Sequence, residues 1–110
     1  MTKKSDLLPG TLDLLILRTL SLRPLHGVAI SDRIEQVTRG VFTVGPGSLF
    51  PALHRLSAKG WIEGQWNELG NSHRVRVYSL TASGRAQLVV EKRNWERVFT
   101  AMNRALTEEA

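Results

Sequence analysis

The residues best suited to chemistry lie in the segment GSLFPALHRLSAKG, where basic and apolar side chains alternate in a helical pattern. Leu49, Leu53 and Leu56 recur at the spacing of a buried helix face, whereas Arg55 and Lys59 fall on the other side. Guanidinium and ammonium groups one helical turn apart are suited to binding phosphate or the edge of a guanine. The segment therefore predicts a helix that presents a positive surface to a polyanion.

The residues VGPGSLFP, which lead into this segment and overlap its first five positions, include four helix breakers. Two starts of the helix are compatible with them. With Ser48 as the N-cap, Pro51 lies in the first turn. Backbone N–H groups there have no acceptor within the helix, so proline, which has no N–H, loses no hydrogen bond. With Pro46 as the first helical residue, Pro51 lies mid-helix and kinks it. We favour the Ser48 start. Gly45 and Gly47 then allow backbone N–H groups to approach an anion at the positive end of the helix.

A second basic cluster follows the turn-rich sequence NELGNS, which is expected to join the strands WIEGQW and HRVRVYSL as a hairpin. His73, Arg74 and Arg76 lie on the second strand, close to the turn. A positively charged hairpin tip is suited to contact with the DNA backbone or the minor groove. Arg76 shares a strand face with Tyr78 and Leu80, so it either faces DNA or braces the edge of the core.

Three short helices and a long final helix must surround this hairpin. The first, GTLDLLILRTLSL, has Thr11 as its expected N-cap and ends before Pro24. The second, HGVAISDRIEQVTRG, is closed by Gly40 and has four residues expected to face the core: Val28, Ile30, Ile34 and Val37. The order α-α-α-β-β-α is mainly helical and typical of a winged helix-turn-helix, whose third helix enters the major groove.

Composition supports a binding protein rather than an enzyme. The chain has 110 residues and a net charge of +5, which fits one small domain with a polyanionic partner. Without cysteine, disulfides and thiolate zinc sites are excluded. His26, His54 and His73 have no metal-ligand spacing, and GPGSLF lacks the pattern of a nucleophile elbow. We expect no catalysis, no cofactor and no metal. Because no segment has the features of a signal peptide or a membrane span, we expect a cytoplasmic protein.

Four motifs in order across residues 7–95 resemble the PadR family of bacterial transcriptional regulators in its short form: LLPGTLDLLILRTLSLRPLHG, GSLFPALHRLSAKGWI, RVRVYSLTASGRAQL and EKRNW. The resemblance implies a homodimeric winged-helix repressor, often released by a small molecule, that reads DNA through its third helix and hairpin. The family usually has Tyr at the position of Phe50 in this chain. It often has Tyr at the position of Val28 as well. The residues predicted to contact DNA are Gly47, Ser48, Phe50, Pro51, His54, Arg55, Lys59, His73, Arg74 and Arg76.

The final helix, with Thr81 as its N-cap, has a 4-3-4-3-4 spacing of mostly apolar residues that is typical of a coiled-coil seam. We expect this seam to pair with a second copy, so that residues 1–80 form the DNA-binding domain and 81–110 the dimerisation helix of one continuous unit. Packing against the first helix is the alternative, and both contacts are compatible. The predicted dimer interface comprises Leu12, Leu88, Trp95, Phe99, Met102 and Leu106, with Lys92 also in the seam. Trp95 and Phe99 are in addition candidates for binding a small aromatic effector.

Two functions remain open. The first is a homodimeric repressor that binds a palindromic operator in double-stranded DNA and is released by an aromatic or hydrophobic ligand. The second is a winged-helix protein-interaction module without sequence-specific DNA binding. An interaction helix would expose aromatic or methionine anchors, whereas Arg55, Lys59 and Arg74 favour phosphate.

Overall fold

The computed structural model describes residues 10–69 and 73–108 of the chain, which form four helices and a three-stranded sheet. In chain order the elements are α1 (Thr11–Leu22), β1 (Leu25–His26), α2 (Gly27–Val37), α3 (Pro46–Ala58), β2 (Ile62–Leu69), β3 (His73–Leu80) and α4 (Ala82–Thr107). The β2–β3 hairpin, here called the wing, follows α3, and the long α4 follows the wing. This architecture confirms the predicted winged helix-turn-helix.

The core lies between α1, α2, α3 and the base of the sheet. Its largest fully buried side chains are Ile16, Leu17, Leu20, Ile30, Ile34, Leu49, Leu53, Leu56 and Ile62. The leucine stripe of α3 is thus confirmed. On α2 the prediction was wrong for two residues, because Val28 and Val37 are 60% and 55% exposed. Val28 lies about 200° around the helix from buried Ile30, and Val37 belongs to the last turn, at the end of the helix.

Two helix starts differ from those favoured from the sequence. Helix α1 begins at Thr11 itself, and its N-cap is Gly10 in a left-handed conformation, with φ of 86°. Helix α3 begins at Pro46 with Gly45 as its N-cap, so the Ser48 start was wrong. Extended Gly45 offers its carbonyl to the N–H of Leu49, and proline is favourable at the first helical position. The helix continues through Pro51 to Ala58, although Pro51 cannot donate to the carbonyl four residues earlier.

The sheet has a strand that the sequence did not reveal. The two residues of β1, Leu25 and His26, pair antiparallel with Tyr78 and Val77, which gives the strand order β1-β3-β2. A strand of two residues is too short to show a periodic pattern, so no sequence signal marks it. The wing is also longer than expected, because the pairing of β2 with β3 continues through Asn67 and Glu68 of the predicted turn.

The segment LTASG joins the wing to α4 through a set of short contacts. The Thr81 hydroxyl accepts from the N–H of Gly84, as expected of an N-cap, and donates to the Gly60 carbonyl at 2.7 Å. The Thr81 N–H donates to the carbonyl of Trp61 at 3.1 Å. Buried Gly84 lies against the same Trp61 carbonyl, where an added Cβ would clash. The start of α4 is therefore held against the turn that follows α3.

Helix α4 has 26 residues, which corresponds to about 39 Å, and most of its length projects beyond the core. Leu88 packs partly buried against the core, whereas the residues that follow it in the seam are exposed. None of the helices in the described ranges combines the length and hydropathy that a membrane crossing requires.

Candidate nucleic-acid interface

The first turn of α3 offers fewer free backbone donors than the Ser48 start predicts. Pro46 has no N–H, and the N–H of Ser48 donates to the Gly45 carbonyl at 3.1 Å. The Gly47 N–H makes no hydrogen bond within the described part of the chain. An added Cβ at Gly47 would meet no atom within 4 Å, so this turn is open to a large partner. Ser48 itself is half-buried.

The two flanks of α3 are each held by a neighbouring helix. On one flank the Phe50 ring lies over Gly27, the first residue of α2, where an added Cβ would be 3.0 Å from Cε1 and 3.2 Å from Cζ. Phe50 is still 47% exposed. On the other flank Arg55 donates through Nη2 to the carboxylate of Asp13, in the first turn of α1. These contacts aim the surface between the two flanks outward.

Three further candidates on α3 are exposed. Pro51 and His54 lie on the outward surface between the flanks. Lys59, the C-cap residue, holds its Nζ over the ring of Trp61 at 4.7 Å from the centroid. A cation over an aromatic face keeps its N–H donors available in other directions, so this contact leaves Lys59 able to bind an anion.

The wing carries a cluster that the sequence did not single out. Trp66 lies directly opposite Arg76 in the strand register, and Arg74 is the next residue along the same face. The guanidinium carbons of Arg74 and Arg76 are 4.9 and 5.5 Å from the centroid of the Trp66 ring. We call these three residues the wing cluster. His73 begins β3, but its side chain lies outside the described residues.

Gly64 shapes the same face of the wing. It is paired with Tyr78, next to Trp66, and an added Cβ there would clash with Nε of Arg76. The same Cβ would be 3.1 Å from Cγ of Arg76 and 3.1 Å from Cε1 of Tyr78. The Arg76 side chain therefore lies along the sheet over Gly64, between the Trp66 ring and the core edge. Both roles considered for Arg76 are compatible with this position.

Helix α4 brings the predicted dimer and ligand residues together on an open face. The rings of Trp95 and Phe99 stack, with centroids 4.8 Å apart and an angle of 15° between their planes. Both rings are nearly half exposed, as is Met102, and Leu106 is 77% exposed. Leu12 differs from these because it is partly buried against the core of its own chain.

A cleft of about 560 Å³ separates α1 from α4. Its walls are mostly apolar, and two cationic side chains, Arg18 and Lys92, border it. Trp95 lies in its lining, so the stacked pair of rings adjoins the cleft. The lining residues are Thr11, Leu14, Leu15, Arg18, Phe42, Leu88, Val89, Lys92 and Trp95.

Sequence reasoning missed two residues of the candidate interface, Asp13 and Trp66. Asp13 lies 42 residues before Arg55, and no local pattern relates the two. Trp66 could have been found from its position across the hairpin from Arg74 and Arg76, had the first strand been extended to Leu69. Over the described ranges, no group of three or more His, Asp or Glu side chains is arranged to hold a metal.

The fold is shared with known proteins. Residues 16–90 match the family described as transcriptional regulator PadR-like. The transcriptional regulator Rv3488 of Mycobacterium tuberculosis is 34% identical over 74 residues, which cover 67% of this chain and 65% of that protein. A PadR-like transcriptional regulator from Bacillus cereus has a crystal structure with a TM-score of 0.79 and 28% identity, covering 96% of this chain and 100% of that one. PadR of Bacillus subtilis, solved in complex with operator DNA, has a TM-score of 0.65 and 24% identity. The match covers 71% of this chain and 44% of that one.

Proposed function

Because the chain belongs to the PadR-like family of transcriptional regulators, we propose that it is a homodimeric repressor that binds a palindromic operator through α3 and the wing. The family assignment also confirms the expectation of a regulator rather than an enzyme. A DNA-binding regulator acts where the chromosome is, so its place would be the cytoplasm.

The observation that carries the proposal is the set of exposed cations on α3 and the wing. Lys59, Arg74 and Arg76 hold their charged groups over indole rings, and none of the described residues accepts a hydrogen bond from them. Their N–H donors are therefore free for phosphate oxygens, which a guanidinium binds in bidentate fashion. PadR of Bacillus subtilis, which shares this fold, was solved in complex with operator DNA, and this supports DNA as the partner.

A second copy of the chain is the proposed partner of α4. Trp95, Phe99, Met102 and Leu106 expose apolar side chains along a helix that a 110-residue chain does not need for its own core. Two such helices packed about a two-fold axis would bury both seams, and the dimer would present two copies of α3 to the two halves of a palindrome. The contacts of Thr81 and Gly84 would then hold each α3 at a constant position relative to the dimer axis.

The cleft between α1 and α4 is the proposed site for a small aromatic or hydrophobic effector. The stacked Trp95 and Phe99 rings supply an apolar surface, and pairing with a second copy would enclose the open side of the cleft. An effector bound there would contact α1, which also holds Arg55 of α3 through Asp13. Ligand binding would thereby alter the position of α3.

Selection of DNA fragments by the purified protein tests the proposal. Genomic fragments that the protein retains at rising salt should share a sequence with two-fold symmetry, and light scattering should give the mass of two chains. Retention on duplex DNA should fall steeply with salt, because each phosphate contact releases a counterion. A protein that no duplex retains at low salt, but that captures a partner protein through α3, is an interaction module instead, and the proposal is then wrong.

A further inference from the structure

The wing cluster places an aromatic ring where an exposed strand would ordinarily carry a polar residue. Trp66 is 54% exposed although tryptophan is among the most costly side chains to leave in water. It lies on the wing, outside the buried core, so packing of the core does not explain its presence. What Trp66 does contact is the pair of guanidinium groups on β3.

The acid opposite Arg74 in the strand register, Glu68, does not pair with it. Within the described residues Glu68 forms no ion pair, whereas Asp13 and Arg55 do. Arg74 instead lies over the Trp66 ring. Glycine at position 64 leaves the space that Arg76 occupies beside the same ring. Two independent features of β2 thus act on these arginines: the Trp66 ring contacts both guanidinium groups, and the absent side chain at position 64 leaves room for that of Arg76.

Stacking on a ring orders a guanidinium without using its hydrogen-bond donors. The contact involves the flat face of the group, while all five N–H bonds point outward in its plane. An arginine held in this way has lost much of its rotational freedom before its ligand arrives, so less entropy is lost on binding. In an ion pair, such as that of Arg55, part of the donor set is already engaged.

We propose that Trp66 is a positioning residue for DNA binding, which preorders Arg74 and Arg76 to receive phosphate oxygens of the DNA backbone beside the wing. This inference rests on the DNA binding proposed above and adds a residue that acts through its neighbours. Trp66 contributes to affinity by holding the two guanidinium groups, and it contributes no charge of its own.

The test compares three wing variants in titrations of a fluorescently labelled, mixed-sequence DNA duplex at several salt concentrations. Trp66→Leu removes the ring but keeps an apolar side chain, Trp66→Phe keeps a ring, and Gln65→Ala alters the opposite face of the same strand. Thermal denaturation of each variant verifies that the wing variants remain folded. The ring-current shift of the Arg74 and Arg76 Nε–H resonances reports the stacking in the free protein, independently of DNA.

We expect Trp66→Leu to weaken DNA binding by about 5- to 50-fold. Without the ring, the Arg74 and Arg76 side chains would lose their conformational entropy on binding DNA rather than beforehand. The slope of log affinity against log salt should stay unchanged, because both charges are still present. Trp66→Phe should recover most of the affinity, and Gln65→Ala should match the unaltered protein. In a chain that already carries Arg74→Ala and Arg76→Ala, Trp66→Leu should cause no further loss.

Two results would overturn the role of Trp66 alone. Unchanged affinity of Trp66→Leu, in a protein that Arg74→Ala does weaken, means that the arginines need no ring. An equal loss from Trp66→Leu with and without the two arginines means that the indole touches DNA itself. Failure of the unaltered protein to bind the duplex at low salt would instead overturn the proposed function, so the two failures are distinguishable.

Discussion

The carboxylate of Asp13 accepts a hydrogen bond from the guanidinium of Arg55 and thereby ties the flank of α3 to the first turn of α1. The Asp13 side chain is 15% exposed and that of Arg55 is 48% exposed, so solvent weakens this ion pair only in part. Arg55 was predicted to contact DNA. In the folded chain it already has a partner, and its charge is partly neutralised before any DNA approaches.

Neutralising Asp13 should make Arg55 a stronger DNA ligand. For Asp13→Asn we expect tighter binding of a mixed-sequence duplex and a salt slope steeper by up to about one, because Arg55 regains its full charge. The free energy of unfolding in urea should fall by about 0.5–1 kcal/mol, the value of a partly exposed ion pair. Asp32→Asn removes the same charge from an exposed position of α2 and serves as the control. Equal effects of the two variants would show that the ion pair does not restrain Arg55.

Removing a cation from either DNA-binding element should reduce the salt dependence of binding. Arg74→Ala is expected to weaken binding to all duplexes and to lower the salt slope by roughly one. Arg55→Ala should act in the same direction but lower the slope by less than one, because Asp13 already neutralises part of the Arg55 charge. Arg97→Ala removes the same charge from the side of α4 opposite the seam and should leave the slope nearly unchanged. If neither Arg55→Ala nor Arg74→Ala alters affinity or slope in fluorescence titrations, this surface does not face DNA.

A hydroxyl at position 50 should strengthen DNA binding. The Cζ atom of Phe50, which would carry the hydroxyl, lies beside Gly27 at the N-terminus of α2, an end that favours anions. Phe50→Tyr is therefore expected to gain about 0.5–1.5 kcal/mol of binding free energy, the net value of one hydrogen bond. Phe50→Leu lacks both ring and hydroxyl and should give no gain. A Tyr variant that binds DNA no better would place this position away from the phosphates.

The junction between wing and α4 should not tolerate a methyl group. Gly84→Ala would place Cβ against the Trp61 carbonyl and 2.8 Å from Cδ1 of Leu80, so we expect a loss of about 3 kcal/mol or more in urea denaturation. Gly47→Ala is the same change at an open helical position. It should be neutral or stabilise the fold by up to about 1 kcal/mol. Equal stabilities of the two variants would contradict the close approach of α4 to the turn after α3.

Trp95→Ala separates the two proposed roles of the α4 face. If Trp95 is an anchor of the dimer core, its loss should cost about 3–5 kcal/mol of association free energy and give monomers in light scattering. If it lines an effector slot, the variant should remain a DNA-binding dimer that no longer responds to aromatic compounds. Val90→Ala, at an equally exposed site off the seam, should alter neither property. A stable Trp95→Ala dimer with an unaltered ligand response would contradict both roles.

The sequence by itself determined the order of the four helices and the hairpin, and most of the core. The leucines of α3 and the seam of α4 recur at helical spacing, and the residues of β3 alternate at strand spacing. Such periodicities arise from local backbone geometry, so they can be recognised without knowing what each element packs against. Thr81 was identified as an N-cap for the same reason, because capping involves residues three positions apart.

Only the tertiary structure decided which partners the functional side chains have. Arg55 and Asp13 are 42 residues apart, β1 pairs with a strand more than 50 residues later, and Gly84 abuts the backbone of Trp61. Trp66 meets Arg74 and Arg76 through a register that the sequence placed differently. Contacts of this kind depend on how whole elements pack, and packing is determined by the shapes of many side chains together rather than by a local pattern.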